Sequence, residues 1–237
     1  MPYAGSSLHA PRPKPPRTDE GLMRCPLCQD ASPRLFLSAD EDRLDHKAYS
    51  ECAVCKLVFL HPEYQLGPLE ERKRYDLHQN HPEDEGYVRF LSRLTEPLLK
   101  RLKPGAEGLD YGCGPGPTLS VILGKAGYSV TDYDPYYFPD EKSLTRQYDF
   151  ITCTEAAEHF YHPGAEFERL AGLLRPGGRL AVMTDFLTMP ERFAEWHYRR
   201  DPVHVSFYRT ETFLYLADRH AWTADFPAAN LVFFLSR

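Results

Sequence analysis

Between residues 84 and 103 the apolar positions Tyr87, Phe90, Leu91, Leu94, Leu98 and Leu102 recur every three or four residues, the period of an amphipathic helix. Past "PGAEG" (104–108), where proline and glycine break the pattern, the rhythm changes. "GLDYG" is an apolar run of strand length, "TLSVILGKAG" a helical face ended by glycine, and "YSVTDYD" and "YDFITCT" are two further strands. "AEFERLAGLL" predicts a helix, "RPGG" a turn and "RLAVMTDF" a fourth strand. "TETFLYLADRH" predicts a last helix before "AWTADF" and "NLVFFLS", two short strands joined by "PAAN". Strands alternating with helices predict a mainly parallel sheet covered on both faces, here with an antiparallel hairpin at its edge.

The first part of the chain has no such rhythm. Residues 1–20 are proline-rich, polar and poor in buriable groups, which predicts a disordered tail. Residues 21–62 form a cysteine unit followed by strand-like "KLVFLHP", 63–103 a charged helical connector, and 104–237 the alternating domain. With 42% hydrophobic residues the chain has enough apolar material for a buried core. The net charge of −6 leaves no electrostatic footprint for nucleic acid. The longest apolar runs, such as "LVFFL", fall far short of the roughly 20 residues that span a bilayer, and no signal-peptide core is present. The expectation is a cytoplasmic protein without a membrane partner.

Four of the six cysteines fall in two pairs, Cys25-Pro-Leu-Cys28 and Cys52-Ala-Val-Cys55. In a reducing compartment two such pairs predict a tetrahedral zinc site, a zinc ribbon. Four thiolates leave no position for water, so the metal is expected to be structural, with iron as the chemical alternative. Cys113 and Cys153 are expected to be small core residues.

The glycine-rich "GLDYGCGPGP" (108–117) follows a strand and opens a helix. A triphosphate loop needs Lys-Ser/Thr at the helix start, where this chain has "GPGPTL". A dinucleotide loop spaces its glycines G-x-G-x-x-G, whereas here they fall at Gly112, Gly114 and Gly116, with Asp110 at the strand end. A carboxylate there suits a ligand carrying an ammonium and a sulfonium better than a pyrophosphate. Asp134 closes the next strand, where a carboxylate accepts ribose hydroxyls. Backbone N–H groups of the loop suit a ligand carboxylate, and Pro117 suits the first helical position.

"LDYGCGPG" resembles motif I of class I S-adenosylmethionine-dependent methyltransferases, and "GYSVTDYDP" their second strand with its ribose acid. "YDFITCTEAAEHF" is similar to their "FDLVxxxEVLEH" segment, "LLRPGGRL" to their "LkPGG" turn, and "HVSFYRTETFLYLADRHAW" to a C-terminal stretch of one subgroup. The resemblance covers roughly 75–237, and a four-cysteine unit ahead of such a domain recurs in the superfamily. It implies a Rossmann-like doubly wound α/β fold, here preceded by the small ribbon. It also implies S-adenosylmethionine as cofactor, held by Asp110, Gly112, Gly114, Gly116, Asp134, Thr154 and Glu155. One departure stands out: only "PYYFPDEKSLTRQY" separates Asp134 from Asp149, so the family's third strand is short or missing. Its adenine-reading acid goes with it, leaving Asp140 or the backbone near Thr154 for that contact.

Methyl transfer needs an aligned acceptor, exclusion of water and, often, a proton acceptor. The segment after "YDFITCT" offers Glu155, Glu158 and His159, and lacks the "(N/D)PPY" motif of nucleobase amine methylation. "FAEWHYRRDPVHVSFY" (193–208) offers His204 as leading general base and Tyr208 as the next. Arg199 and Arg200 are candidates to grip an anionic acceptor. The acidic balance favours a small-molecule acceptor over RNA. Two other classes stay open, a non-catalytic scaffold binding RNA or protein through the ribbon, and a nicotinamide-dependent oxidoreductase. Intact glycine and acid positions disfavour the first; glycine spacing and Asp110 disfavour the second.

Overall fold

The computed structural model describes residues 23–77 and 80–237. The predicted tail, 1–20, lies outside the described residues. Three short antiparallel strands come first, β1 (Arg34–Leu37), β2 (Tyr49–Glu51) and β3 (Val58–Leu60), then α1 (Pro68–Tyr75) and α2 (Glu85–Leu99). The Asp84 carboxylate caps α2, accepting from the N–H groups of Gly86 and Tyr87 at 2.8 and 3.1 Å.

The alternating part follows as β4 (Glu107–Tyr111), α3 (Thr118–Lys125), β5 (Ser129–Tyr133), β6 (Tyr148–Thr154), α4 (Pro163–Leu173) and β7 (Leu174–Met183). After a long loop come β8 (Ser206–Phe207), α5 (Thr210–Arg219), β9 (Thr223–Ala228) and β10 (Leu231–Leu235). The main sheet has the order β5-β4-β6-β7-β10-β9; β5, β4, β6 and β7 run parallel, β10 and β9 antiparallel. This is the Rossmann-like sheet with a C-terminal hairpin. Between Asp134 and β6 the described chain forms an isolated antiparallel bridge, Asp134 with Phe138, and a 3-10 turn, Glu141–Thr145, but no third strand. "RPGG" is not a free turn: Tyr148 pairs with Leu174 and Phe150 with Arg179, so Arg175–Gly178 bulge out of a continuous β7.

Neighbouring residues of each strand feed opposite cores, as the strand period of two requires. Ile151, Val182 and Phe234 pack with Phe167 and Leu170 of α4 and Phe213 of α5. Phe150, Ala181 and Phe233 pack on the other face with Leu91, Leu94 and Leu98 of α2 and Leu119 and Leu123 of α3. The apolar stripe of α2 therefore roofs one side of the sheet. Among the described residues no helix is long and apolar enough to cross a membrane.

β8 changes the architecture. It pairs with β3 (Val58 with Phe207, Phe59 with Ser206) and extends the N-terminal sheet to four strands, β1-β2-β3-β8. Around that junction Leu37, Tyr49 and Val58 share a core with Leu187, Phe193, Tyr198 and Phe207. The first cysteine knuckle leans on α4: the Gly164 N–H donates to Pro26 O at 3.2 Å, and a Cβ at Gly164 would sit 2.4 Å from Leu27 O. The cysteine unit is thus seated on the sheet domain at two places.

Candidate active site

The loop after β4 turns on two glycines in the left-handed region, Gly112 (φ 80°) and Gly114 (φ 67°). A Cβ on Gly112 would lie 2.6 Å from the Ala156 Cβ, so the loop closes against the end of β6 only without a side chain. Gly116 is tighter still, its absent Cβ 2.0 Å from Asn80 O, a carbonyl that also accepts from Thr118 Oγ1 at 3.0 Å. Its place is under the segment entering α2, and it does not line the cavity. Pro117 stands at the N-cap of α3 rather than at its first helical position.

Asp134, at the end of β5, accepts from Gly114 N–H at 3.1 Å and from Tyr136 and Tyr137 N–H at 2.8 and 3.1 Å. Three backbone donors fix its carboxylate at the rim of a cavity of about 630 Å³. Gly112, Gly114, Thr154 and Glu155 line the same cavity. The Thr154 hydroxyl is buried there without a protein partner, an orphaned polar group on the wall. Glu155 sits at φ 46°, an uncommon backbone region for a residue with a side chain, pinned by its N–H on Met183 O at 2.8 Å. Burial, then the carboxylates of Glu158 and Asp185, push its pKa up to about 9.

Asp110 requires a correction. It does not touch the cavity; its carboxylate is buried beneath the loop and accepts from Thr152 Oγ1 at 2.7 Å. Burial raises its pKa to about 7 from 3.8; the Thr152 hydroxyl opposes this, and Asp132 and Asp134 add to it. Because the folded value exceeds the unfolded one, ionised Asp110 weakens the fold above pH 7, and stability returns as pH falls from 7 towards 4. Asp110→Asn should therefore raise the Tm of the ligand-free protein at pH 8 by several degrees, the gap closing near pH 4. Thermal scans across that pH range check it; an equal or lower Tm at pH 8 contradicts the assignment.

Beyond Glu155 the cavity continues between two histidines. His159 Nδ1 is 3.0 Å from Val203 O and His204 Nδ1 is 2.6 Å from Tyr198 O. Carbonyls only accept, so both Nδ1 atoms carry a proton, and in the neutral ring the Nε2 atom is the one left with a lone pair. The rings lie 4.8 Å apart. Burial holds the pKa of His204 below its ordinary value, which keeps the ring neutral. Beside them Glu158 is fully buried, accepting from Tyr198 OH at 2.6 Å on Oε1 and from Thr184 Oγ1 at 2.9 Å on Oε2.

Tyr208 is the second correction. It is fully buried, stacked on Phe213, with its hydroxyl donating to Ala157 O at 2.9 Å, so it is a core residue and cannot serve as a base. Arg199 is the third. It is 1% exposed and bidentate on Asp42 at 2.7 and 3.1 Å, out of reach of any acceptor. Asp140 caps the 3-10 turn through Lys142 N–H at 3.1 Å and stands away from the cavity lining. Tyr198 and Thr184, which orient Glu158, carried no sequence signal; their partner lies 40 and 26 residues away.

A family model described as a methyltransferase domain matches residues 80–223. The chain belongs to that family, and its domain is of the S-adenosylmethionine-dependent class. Ubiquinone biosynthesis O-methyltransferase from Coxiella burnetii (strain RSA 493 / Nine Mile phase I) is 29% identical over 150 residues, covering 52% of this chain and 64% of that protein. The namesake from Xanthomonas axonopodis pv. citri (strain 306) is 32% identical over 114 residues, covering 38% and 47%. The chain thus spans less than two thirds of the curated relatives it matches. Magnesium protoporphyrin IX methyltransferase from Synechocystis PCC 6803, solved with bound SAH, is 13% identical over 71% of this chain and 94% of that one, at a TM-score of 0.47. The PH0226 protein from Pyrococcus horikoshii OT3 gives 14%, 69%, 97% and 0.49.

The methyltransferase cavity fits S-adenosylmethionine in its donor set. Open-backbone glycines, the fixed Asp134 carboxylate and the orphaned Thr154 hydroxyl are groups that a nucleoside and an amino acid would engage. The four cysteines also converge: Cys25 and Cys55 sulfurs are 3.5 Å apart, Cys28 and Cys52 3.4 Å, and all four atoms lie within 4.8 Å of one another. A tetrahedron of Zn–S bonds near 2.3 Å places its sulfurs about 3.8 Å apart, so the set suits zinc.

Proposed function

We propose that the protein transfers a methyl group from S-adenosylmethionine to a small-molecule acceptor, with His204 taking the proton and His159 beside it. The observation that carries this is the pair of histidines lining the methyltransferase cavity, each with its ring set by an Nδ1–H···O=C bond. When bound, the cofactor supplies a methyl group activated by a positive sulfur. The chain does the rest. Gly112 and Gly114 offer close backbone approach, Asp134 takes the ribose hydroxyls, and Thr154 and Glu155 line the passage to the acceptor. Asp110 acts from beneath through its field.

A small acceptor is favoured over RNA by charge. Glu71, Asp134, Glu158, Glu166 and Asp201 line the cavity, and its arginine, Arg169, is committed to Glu166 and Tyr111 at 2.9 Å each. A phosphate backbone needs the opposite sign. The zinc assignment belongs to this reading: Cys25, Cys28, Cys52 and Cys55 close a structural site, distant from the chemistry.

Calorimetric titration with S-adenosylhomocysteine tests the cofactor half, with saturable binding expected. Asp134→Ala should weaken it about 100-fold, the loss of two hydrogen bonds to a charged group. Unchanged affinity would remove Asp134 from the site. On any acceptor found by transfer of labelled methyl, His204→Ala should lower kcat about 10²–10⁴-fold with cofactor affinity unchanged. Activity should fall on the acid side, below the ordinary histidine value of 6.5, as the base protonates. Tyr208→Phe should leave kcat alone and cost about 1 kcal/mol of stability; a large kcat loss there would reinstate it.

A further inference from the structure

The acceptor end has an unusual balance of hydrogen-bonding groups. Three proton acceptors surround one spot: Glu158 Oε1 lies 3.9 Å from His159 Nε2 and 4.0 Å from His204 Nε2, and the three atoms fall within 4.8 Å of one another. Both imidazoles have spent their N–H on carbonyls, and the Glu158 carboxylate is held in place by Tyr198 and Thr184. With both rings neutral and Glu158 ionised, none of the three has a hydrogen to give a ligand. Glu155 stands beside them, and Tyr75 covers His159 edge-on at 5.2 Å.

We propose that the nucleophile is a primary amine of a small molecule, bound as its ammonium ion by His159, His204 and Glu158 and methylated on nitrogen. This rests on the methyltransferase reading above and names its substrate class.

Counting hydrogens separates the candidates. An alcohol or phenol brings one hydrogen to three acceptors and leaves two unmatched in a buried site. An ammonium brings three, with a positive charge that suits Glu158. The spacing is wider than a tetrahedral metal site closes to, and Mn²⁺ is kept as a rival in the test below. Nitrogen and oxygen ligands about 2.1 Å from a tetrahedral metal stand about 3.4 Å apart, closer than the 3.9 and 4.0 Å seen here. A nitrogen at hydrogen-bond distance, about 2.9 Å, reaches all three from just outside their plane. Among the described residues the nearby arginines are engaged elsewhere, Arg169 with Glu166 and Arg74, at 3.4 Å, with Asp201.

The chemistry balances. One N–H proton passes from the ammonium to His204 Nε2. The neutral amine then turns so that its freed lone pair faces the methyl carbon and forms the N–C bond, its two remaining hydrogens staying on the acceptors around it. The methyl–sulfur bond breaks with its electron pair going to sulfur, which leaves as a neutral thioether. The product is a methylammonium ion, and the proton on His204 is lost to water.

The test uses the full chain saturated with S-adenosylhomocysteine, titrated calorimetrically with benzylamine and phenethylamine, and with benzyl alcohol, catechol and Mn²⁺ as rivals. The amines are expected to bind about tenfold or more tighter than benzyl alcohol, and Glu158→Gln to erase that preference. His159→Gln, a second variant with less risk to the fold, should reduce it; retained S-adenosylhomocysteine affinity certifies both proteins as folded. Failure of both amines to bind, equal or tighter binding of benzyl alcohol or catechol, or a Mn²⁺ site lost in His204→Ala would each overturn the amine assignment. If S-adenosylhomocysteine itself does not bind, the methyltransferase reading falls, and the amine proposal with it.

Discussion

Arg199→Ala is expected to remove about 3–5 kcal/mol of folding stability, a loss as large as that of truncating a fully buried aromatic side chain. Arg199 is fully buried and its two terminal nitrogens bracket the Asp42 carboxylate at 2.7 and 3.1 Å, while Nε and Nη2 also donate to Phe193 and Ala194 carbonyls. Truncation would leave Asp42, itself without solvent exposure, as a buried charge with backbone N–H donors but no counter-ion of comparable contact. Burial alone would raise the pKa of Asp42; Arg199 and the N–H groups of Lys47 and Leu44 hold it below its usual value. A depressed folded value means that the contribution is present above pH 3.8 and fades as pH falls through the folded one. Lysine cannot reproduce the fork, so Arg199→Lys should recover little. Denaturant unfolding at pH 7 measures the loss, and a value below 1 kcal/mol would mean that the pair is not closed in solution. The damage should also reach the chemistry, because Tyr198, whose carbonyl sets His204 and whose hydroxyl sets Glu158, is the preceding residue.

Removal of metal from the cysteine cluster should have a comparable effect by a different route. The purified protein is expected to carry one zinc per chain, and Cys52→Ser or a strong chelator to release it. Structural zinc is worth about 10–16 kcal/mol of binding free energy in small domains, and β1–β3 have little other core of their own. Loss of zinc should loosen the N-terminal sheet and, through the Val58–Phe207 and Phe59–Ser206 pairs, the loop carrying His204. Hydrogen exchange should rise in 25–60 and 196–208 and change far less in β4 and β6. Uniform protection after metal removal would show that the knuckles need no ion; protein purified with iron instead would correct the element but not the role.

Much of the fold was legible because its signals are local. α2 reads off an apolar stripe at helical spacing, and β4 to β7 off apolar runs between helical faces, all of them patterns between near neighbours in sequence. The glycine loop is similar: Gly112 and Gly114 advertise a backbone conformation that other residues resist. What stayed hidden depends on partners far along the chain. β8 is two residues long, too short for any alternation, and exists because β3 offers it an edge. Arg199 looked like an anion grip because nothing nearby in sequence announces Asp42, 157 positions earlier. Tyr208 looked like a base because a tyrosine beside histidines reads the same whether it faces a cavity or a core.

The sequence by itself determined the class of protein: an alternating α/β domain with a glycine loop and two strand-end acids, preceded by four cysteines at metal spacing. These are statements about backbone conformation and short-range chemistry, which residue type and spacing encode directly. Only the tertiary structure decided which polar groups meet. It put Asp110 under the loop, turned two histidine lone pairs and a buried glutamate toward one point, and spent Arg199 on joining the cysteine unit to the loop that carries them. Those outcomes depend on burial and on hydrogen-bond partners brought together across the fold, and neither exists before the sheet and its covers are assembled.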